Sequence, residues 1–237
     1  IQSNKLFHKT GQSTEWSGDL KNDAEVTLPK ASFLMRPVVH SVRGFSRLFF
    51  TIEGKGMVNI TKGPCIFAAN HESMLDAFLV LSYLDQQTLK NTFPYAKKEH
   101  VKGRIRRVLA AHANVIVMDL SKDLKNSILK LAQVVKHGKK ILIFPEGTRT
   151  KTGELGEFKK TYAILSTELN VPIVPVVISG SYKATSPRAK KTKRSGKITI
   201  EFLPAVFPGN MNSKELNDLV KQRIVEVKES AKTGIKN

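Results

Sequence analysis

Short apolar runs alternate with segments of helical periodicity along the chain, from about residue 50 onward. Apolar runs that end at turn-forming residues predict buried strands, and apolar positions three and four residues apart predict helices. The predicted strands are Phe49–Glu53, Cys65–Ala69, Thr92–Ala96, Val115–Met118, Ile141–Pro145, Ile173–Ile178 and Ile198–Phe202. The predicted helices are Met74–Leu84, Val101–Ala111, Lys122–Lys136, Lys160–Leu169 and Ser213–Lys232. This alternation predicts an α/β fold with a mostly parallel central sheet of about six to eight strands, flanked by helices.

The first 30 residues lack such a pattern. Residues 1–30 are polar with scattered apolar positions, and they contain no basic segment followed by an apolar one, as a signal peptide would. This composition predicts a linker or tail. Because the chain begins at Ile1 rather than at methionine, we expect it to be a piece of a longer protein, with a further segment or domain before residue 1.

Residues 31–50 predict an N-terminal amphipathic helical arm. Apolar residues recur at helical spacing, and three arginines occupy part of the remaining surface. The arm is either a helix that covers the core or an interfacial helix whose arginines meet lipid phosphates. Its aromatic residues and its lack of acidic residues favour the interfacial interpretation, whereas Pro37 and Gly44 are expected to break or kink the helix.

The charge of the chain indicates an anionic partner. There are 39 lysines and arginines against 20 aspartates and glutamates, a formal net charge of +19. An excess of this size is typical of proteins that meet nucleic acid, an anionic membrane surface or phosphorylated substrates. Seven of the basic residues lie in the tract 182–198, which has no acidic residue and Tyr182 as its one aromatic residue. The scarcity of aromatic residues argues against nucleic acid, and leaves a solvated loop or a surface that faces a membrane or a carrier protein.

Cysteine content and hydropathy indicate the cellular compartment and the relation of the chain to a membrane. The single cysteine, Cys65, excludes an internal disulfide, and its place in a predicted strand indicates a core thiol in a reducing compartment. No uninterrupted apolar run approaches the ~18–20 residues of a membrane-spanning helix. We therefore expect a cytoplasmic protein that is peripheral on the membrane rather than one that crosses it.

A first candidate for chemistry follows the strand Cys65–Ala69. His71 has a carboxylate, Asp76, five residues later, and such a carboxylate can orient an imidazole that acts as a general base. Five residues turn a helix by ~500°, so the pairing requires His71 in the turn before the helix and Asp76 in its first turn. The alternative is a capping box, in which Ser73 and Asp76 satisfy the amides at the start of the helix.

A second candidate follows the strand Ile141–Pro145. The carboxyl ends of parallel strands meet at one edge of a sheet, so this turn is expected beside His71. Gly147 allows close approach of a ligand to the backbone, and Arg149 suits bidentate recognition of phosphate. The alternative is an ordinary turn with an arginine on the surface.

Together these motifs resemble the signature blocks of the glycerolipid acyltransferases, in particular the lysophosphatidic acid acyltransferase branch. The residues that carry the resemblance are Asn70-His71-Glu72-Ser73 with Asp76, and Phe144-Pro145-Glu146-Gly147-Thr148-Arg149. Two further blocks are similar, Ala96-Lys97-Lys98-Glu99 and Val171-Pro172-Ile173-Val174-Pro175-Val176. The resemblance covers about residues 48–205 and identifies 51–237 as the acyltransferase domain.

The resemblance implies transfer of a fatty acyl group from acyl-CoA or acyl-carrier protein to the hydroxyl of lysophosphatidic acid, which gives phosphatidic acid. In the implied mechanism, His71 removes the hydroxyl proton, and Asp76 fixes the tautomer of the His71 imidazole. The implied substrate-binding residues are Lys97, Lys98, Glu146, Gly147, Thr148 and Arg149. Among these, Arg149 with Lys97 or Lys98 is expected to hold the acceptor phosphate. Because a thioester is already activated, we expect no metal and no cofactor beyond the donor.

Two departures from the family pattern keep the acceptor open. Asp119 is followed by Leu120 where the family often has arginine, and Thr161 stands where the family usually has glycine after Phe158-Lys159-Lys160. Acylation of glycerol-3-phosphate or of another lysophospholipid is therefore an alternative.

An alternative of a different class is a non-catalytic basic protein that binds membrane or nucleic acid. A zinc protease is excluded, because Leu75 occupies the second histidine position of a His-Glu-x-x-His motif.

Overall fold

A central sheet organises the part of the chain that the computed structural model describes, which comprises residues 34–97, 101, 103–104, 108, 114–118, 124–185 and 196–233. Its strands are β1 (Thr51–Lys55), β2 (Ile66–Ala69), β3 (Thr92–Lys97), β4 (Ile116–Met118), β5 (Lys140–Ile143), β6 (Ile173–Ser179) and β7 (Lys197–Phe202). Their order is β1-β7-β6-β2-β5-β3-β4. Only the β6–β7 pair among these strands is antiparallel. The predicted α/β fold with a mostly parallel sheet is confirmed.

Helices cover both faces of this sheet. Within the described ranges they are α1 (Met35–Arg47), α2 (Asp76–Leu81), α3 (Gln86–Lys90), α4 (Leu124–Lys136), α5 (Thr161–Leu169), α6 (Ser181–Thr185) and α7 (Ser213–Thr233). Successive residues of a strand point to opposite faces. In β2, Ile66 and Ala68 therefore join the core under α4, α5 and α7, while Phe67 and Ala69 join the core under α1, α2 and α3.

Local hydrogen bonding explains where the predicted elements shift. The first strand begins at Thr51 rather than Phe49, because the amides of Phe49 and Phe50 donate to the Ser46 carbonyl and complete α1. The predicted helix Met74–Leu84 is wrong in its bounds, since α2 spans only Asp76–Leu81. A separate helix, α3, follows because the Asp85 carboxylate accepts from two amides of its first turn.

Two further predictions fall wholly or mostly outside the described residues. These are the polar tail 1–30 and the helix Val101–Ala111. The basic tract 182–198 is described only at its two ends, where α6 and β7 lie, so these ends are not loop. Cys65 is fully buried directly before β2, as expected of a core thiol.

The arm at residues 31–50 forms the helix α1, which runs through Pro37 and Gly44 without a break. Pro37 is tolerated because the amides of a helix's first turn lack intrahelical partners anyway. Met35 and Val39 are fully buried in the core, and the Arg43 guanidinium lies 3.8 Å from the centre of the Tyr83 ring. The N-terminal part of α1 therefore covers the core, and the expected break of the helix is wrong.

Candidate active site

The turns after β2 and β5 meet at the carboxyl edge of the sheet. These strands are direct neighbours and parallel, so their ends emerge side by side. The backbone amide of His71 donates to Glu146 Oε1 at 2.8 Å, and the amide of Thr150 donates to the His71 carbonyl at 2.9 Å. The two motifs thus form one site, as the strand order of the sequence predicts.

His71 and Asp76 form a hydrogen-bonded pair in this site. The distance between His71 Nδ1 and Asp76 Oδ2 is 2.9 Å, with His71 in the turn and Asp76 as the first residue of α2. The His71 side chain is 18% exposed and Asp76 is fully buried. A carboxylate acceptor places the proton on Nδ1 and leaves Nε2 as a free base. The His71 ring also stacks on Phe144, with ring centroids 4.1 Å apart.

Asp76 collects hydrogen bonds from the backbone as well. Its Oδ2 accepts from the amides of Glu72 at 2.6 Å and Ser73 at 2.7 Å. The bond from the Ser73 amide is one half of a capping box, but the Ser73 hydroxyl accepts from the Leu75 amide instead of completing the box, so Asp76 orients His71 and also shapes the turn before α2. Several donors on one buried carboxylate offset the cost of removing its charge from water.

The Glu146 side chain, in the turn after β5, forms a hydrogen bond to the turn after β2. Its Oε1 accepts from His71, and its Oε2 accepts from the amide of Gly156 at 2.7 Å. Burial raises the pKa of the Glu146 carboxyl above its ordinary value, and the two backbone donors act in the opposite direction. Glu146 thereby supports the turn that carries His71 and forms part of the wall of the adjoining cavity.

A cavity of about 460 Å³ adjoins the turn that carries His71, because its lining includes Glu146 and Thr150, which both bond the His71 backbone. Residues 146, 148–152 and 154–159 line it, and Arg149 and Thr148 are exposed in it. Gly147 has φ +69°, in the left-handed region that favours glycine, and a Cβ there would lie 3.4 Å from Lys159 Nζ. Two cations, Arg149 and Lys159, therefore lie on the lining near the turn, which suits an anionic group of a ligand.

Comparison with known proteins decides the family. The profile of the Acyltransferase family matches residues 51–179, more than half of the chain. The chain belongs to the acyltransferase family. This match confirms the resemblance carried by the motifs, and it includes both His71 and Arg149.

Relatives and a solved structure agree with this assignment. The chain is 32% identical over 175 residues to a 1-acyl-sn-glycerol-3-phosphate acyltransferase of Cocos nucifera, which covers 72% of this chain and 54% of that protein. It is 29% identical over 170 residues to 1-acyl-sn-glycerol-3-phosphate acyltransferase beta of Homo sapiens, which covers 66% of this chain and 56% of that protein. The chain thus spans about half the length of these curated relatives.

One solved structure that this chain resembles is the crystal structure of the 1-acyl-sn-glycerophosphate (LPA) acyltransferase PlsC from Thermotoga maritima. It superimposes with a TM-score of 0.69 at 26% sequence identity, over 86% of this chain and 82% of that chain. Its likeness supports the same α/β architecture, including regions outside residues 51–179.

Two site residues, Ser181 and Lys228, lie outside the motifs, and Glu72 lies within the first motif although no role is predicted for it from the sequence. Glu72 is buried in an ion pair with Lys228 of α7, and its Oε2 accepts from the Tyr182 amide at 2.9 Å. Ser181 Oγ lies 2.7 Å from Asp76 Oδ1. Ser181 and Lys228 lie beyond the family match and more than 100 residues from His71, so no local motif identifies them.

The helical pattern does carry one signal for Lys228. The buried positions of α7 include Leu216, Val220, Ile224 and Lys228, each four residues after the last. A lysine that continues an apolar stripe faces the interior, and a buried lysine requires an anionic partner. This pattern indicates a buried ion pair, although it does not identify Glu72 as the partner.

The other predicted binding residues are only partly described. Lys97 ends β3, the neighbour of β5, and so its backbone reaches the same edge of the sheet. Lys98 lies outside the described residues. In the described part of the chain, no group of three or more histidine, cysteine, aspartate or glutamate residues is arranged to hold a metal ion. No described helix combines the length and hydropathy needed to cross a bilayer.

Proposed function

We propose that this chain transfers a fatty acyl group from a thioester, either acyl-CoA or acyl-carrier protein, to the hydroxyl of lysophosphatidic acid. The observation that carries the proposal is the His71–Asp76 pair, 2.9 Å from Nδ1 to Oδ2, beside a cavity that presents Arg149. The names of the relatives support the choice of acceptor. The product is phosphatidic acid.

His71 Nε2 takes the hydroxyl proton as the acceptor oxygen attacks the thioester carbonyl. The resulting tetrahedral intermediate expels the thiolate, which receives the proton from the imidazolium. One ester bond forms, one thioester bond breaks, and the thiol leaves. Asp76 stabilises the imidazolium during this transfer. The thioester is activated before it binds, so the step requires no metal or further cofactor.

Arg149 and Lys159 are placed to hold the acceptor phosphate. Both line the cavity next to Glu146, which itself bonds the His71 backbone. Charge-assisted hydrogen bonds from a guanidinium fix both the position and the orientation of a phosphate. An acceptor anchored there presents its free hydroxyl towards the adjoining His71. Lys97 is a further candidate for this phosphate, because its strand ends at the same edge.

A thiol-release assay with a panel of acceptors tests the proposal. The panel contains lysophosphatidic acid, glycerol-3-phosphate and a lysophospholipid with an esterified phosphate, each with acyl-CoA and with acyl-carrier protein as donor. We expect lysophosphatidic acid to show the highest kcat/KM. A preference for glycerol-3-phosphate would assign the other acceptor, and retention on anionic vesicles without any thiol release would favour a non-catalytic binding protein.

We also infer that the C-terminal end of α1 docks the active-site edge on an anionic membrane. Phe45, Leu48 and Phe49 are 66%, 65% and 45% exposed, and we call them the apolar patch. Thr51, the first residue of β1, pairs with Lys197, the first residue of β7. Because β7 is antiparallel to β6, the start of β7 lies beside the carboxyl end of β6. The apolar patch therefore lies at the same edge as His71. Apolar insertion together with the charge of +19 favours an anionic lipid surface.

A further inference from the structure

Ser181 occupies a constrained position directly after β6. It is the first residue of α6, and its side chain is fully buried. Gly180 precedes it with φ +88°, and a Cβ at Gly180 would lie 2.1 Å from the Lys197 carbonyl oxygen. Only glycine fits this close approach of two backbones. The chain is thus bent so that Ser181 lies beneath the turn that carries the His71–Asp76 pair.

The hydroxyl of Ser181 lies between two carboxylates. Its Oγ is 2.7 Å from Asp76 Oδ1 and 3.3 Å from Glu72 Oε2. A hydroxyl has one proton to donate, and the shorter distance indicates donation to Asp76. Among the described residues, Ser181 is the only donor to Oδ1, whereas Oδ2 receives His71 Nδ1 and two amides.

We propose that Ser181 is a positioning residue that acts on His71 through Asp76. Its hydroxyl fixes the rotation of the Asp76 carboxylate, so that Oδ2 remains directed at His71 Nδ1. Without this bond a buried carboxylate oxygen loses its donor, and the carboxylate is freed to turn. An imidazole is oriented by the hydrogen bond that its second nitrogen makes. The proposal deepens the proposed function and rests on it, since it assigns a supporting residue to the same base.

Glu72 and Lys228 hold Ser181 in place. Glu72 Oε2 accepts from the Tyr182 amide at 2.9 Å, which anchors the start of α6. Its Oε1 accepts from Lys228 Nζ, so that α7 neutralises the buried charge. Glu72 directly follows His71, so the bonds of its carboxylate connect α6 and α7 to the turn that carries His71. Residues beyond the segment 51–179 complete the support of the base.

Ser181→Ala in the full chain tests the proposal, with Ser166→Ala as the matched control. Ser166 lies in α5 and is equally buried, and its hydroxyl donates to the Val171 carbonyl, away from the pair. Two quantities are measured: the kinetic constants of acyl transfer, and the His71 Nδ1 proton signal in NMR spectra of ¹⁵N-histidine-labelled protein. The signal is assigned with a His71→Gln variant. Because the NMR signal needs no substrate, it remains informative even if the proposed acceptor is wrong.

We expect Ser181→Ala to lower kcat by about tenfold to a hundredfold, the effect of losing one hydrogen bond to a charged group. KM values for donor and acceptor should stay within about twofold, and the Nδ1 proton should exchange faster with water. Ser166→Ala should change neither quantity. An unchanged signal or an unchanged kcat in folded Ser181→Ala would overturn the proposal. If the alanine variant does not fold, Ser181→Cys, which keeps the size and weakens the donor, is judged by the same two criteria.

Discussion

Asp76 holds an imidazole and a backbone turn at the same time. Its Oδ2 accepts from His71 Nδ1 and from the amides of Glu72 and Ser73. The same oxygen thus shapes the turn before α2 and sets the direction of the His71 ring. A substitution at Asp76 is therefore expected to affect both helix stability and chemistry, and a control must separate the two.

Asp76→Asn should lower kcat on the order of 10²–10⁴-fold, because the amide does not enforce the tautomer with a free Nε2. Asp85→Asn is the matched control, since Asp85 caps α3 with its carboxylate and is not bonded to His71. We expect Asp85→Asn to leave kcat unchanged. Thiol release and thermal unfolding of both variants are compared. A loss of stability in Asp76→Asn with kcat retained would show that Asp76 serves only as a cap.

Arg149→Ala should raise the KM of the acceptor more than that of the donor. The guanidinium is exposed on the cavity lining, and loss of one charge-assisted contact costs about 1.5–3 kcal/mol of binding free energy. Arg223→Ala on α7, where the side chain donates to the Pro204 carbonyl, controls for loss of one positive charge. Steady-state kinetics with each substrate varied in turn measure the effect. A selective rise in the donor KM would assign this cavity to the donor instead.

The secondary-structure elements follow the sequence where the hydrophobic pattern alone determines them. The end points of the later helices agree with the prediction to within about two residues, and α7 begins at Ser213 as predicted. The short helices α3 and α6 escape prediction because each spans five residues and therefore shows no repeated period. The predicted break in α1 is wrong, because Pro37 lies in the first turn, where proline is tolerated.

The sequence predicts only the part of the site that follows from the parallel pairing of the strands. His71 and Arg149 follow neighbouring strands, so topology alone brings their turns together. Ser181 and Lys228 approach from β6 and α7, and their contacts depend on how these elements pack in three dimensions. Neither a spacing nor a local motif encodes such contacts.

Lys228→Met should destabilise the fold strongly, because it leaves the Glu72 carboxylate buried without its cation. Breaking one partner of a buried ion pair costs about 3–5 kcal/mol in the free energy of unfolding. The double variant Glu72→Gln/Lys228→Met leaves no unpaired charge and should lose less. Denaturant unfolding measures the free energy of unfolding of the parent, of Lys228→Met and of the double variant. Lys214→Met is the control, because Lys214 is an exposed lysine of the same helix. A loss no larger than that of Lys214→Met would refute the role of the buried pair.

The whole molecule presents its chemistry and its apolar patch at one edge. Phe45, Leu48 and Phe49 follow the part of α1 that packs on the core, and β1 begins directly after them. In the proposed function, the lipid acceptor leaves or approaches a bilayer at the edge where His71 lies. Under the proposed function, the fold would couple attachment to a membrane with access to the base.

The triple variant Phe45→Ser/Leu48→Ser/Phe49→Ser should bind anionic vesicles more weakly than the parent chain. Binding of the parent should also weaken with salt, since the screening length falls from ~10 Å at 0.1 M to ~3 Å at 1 M. Vesicle co-sedimentation with anionic and neutral lipid measures both effects. Substitution is preferable to deletion of residues 1–49, because Met35 and Val39 belong to the core.

The control for this experiment lies at the opposite edge of the sheet. Met57, Val58 and Phe207 are also exposed apolar residues, and they follow the far ends of β1 and β7. Their replacement by serine should leave vesicle binding unchanged. Equal binding of the parent to anionic and neutral lipid, or equal losses in both triple variants, would refute a specific role of the apolar patch.

In the proposed function, His71 is the base of acyl transfer to lysophosphatidic acid. The most direct measurement is kcat for thiol release with this acceptor in the His71→Ala variant. His137→Ala serves as the control, because His137 lies exposed after α4 and bonds only the Gln133 carbonyl among the contacts described. We expect His71→Ala to lose on the order of 10²–10⁴-fold in kcat at unchanged thermal stability, and His137→Ala to lose nothing. Retention of the parent kcat by folded His71→Ala would contradict the role of His71 as the base.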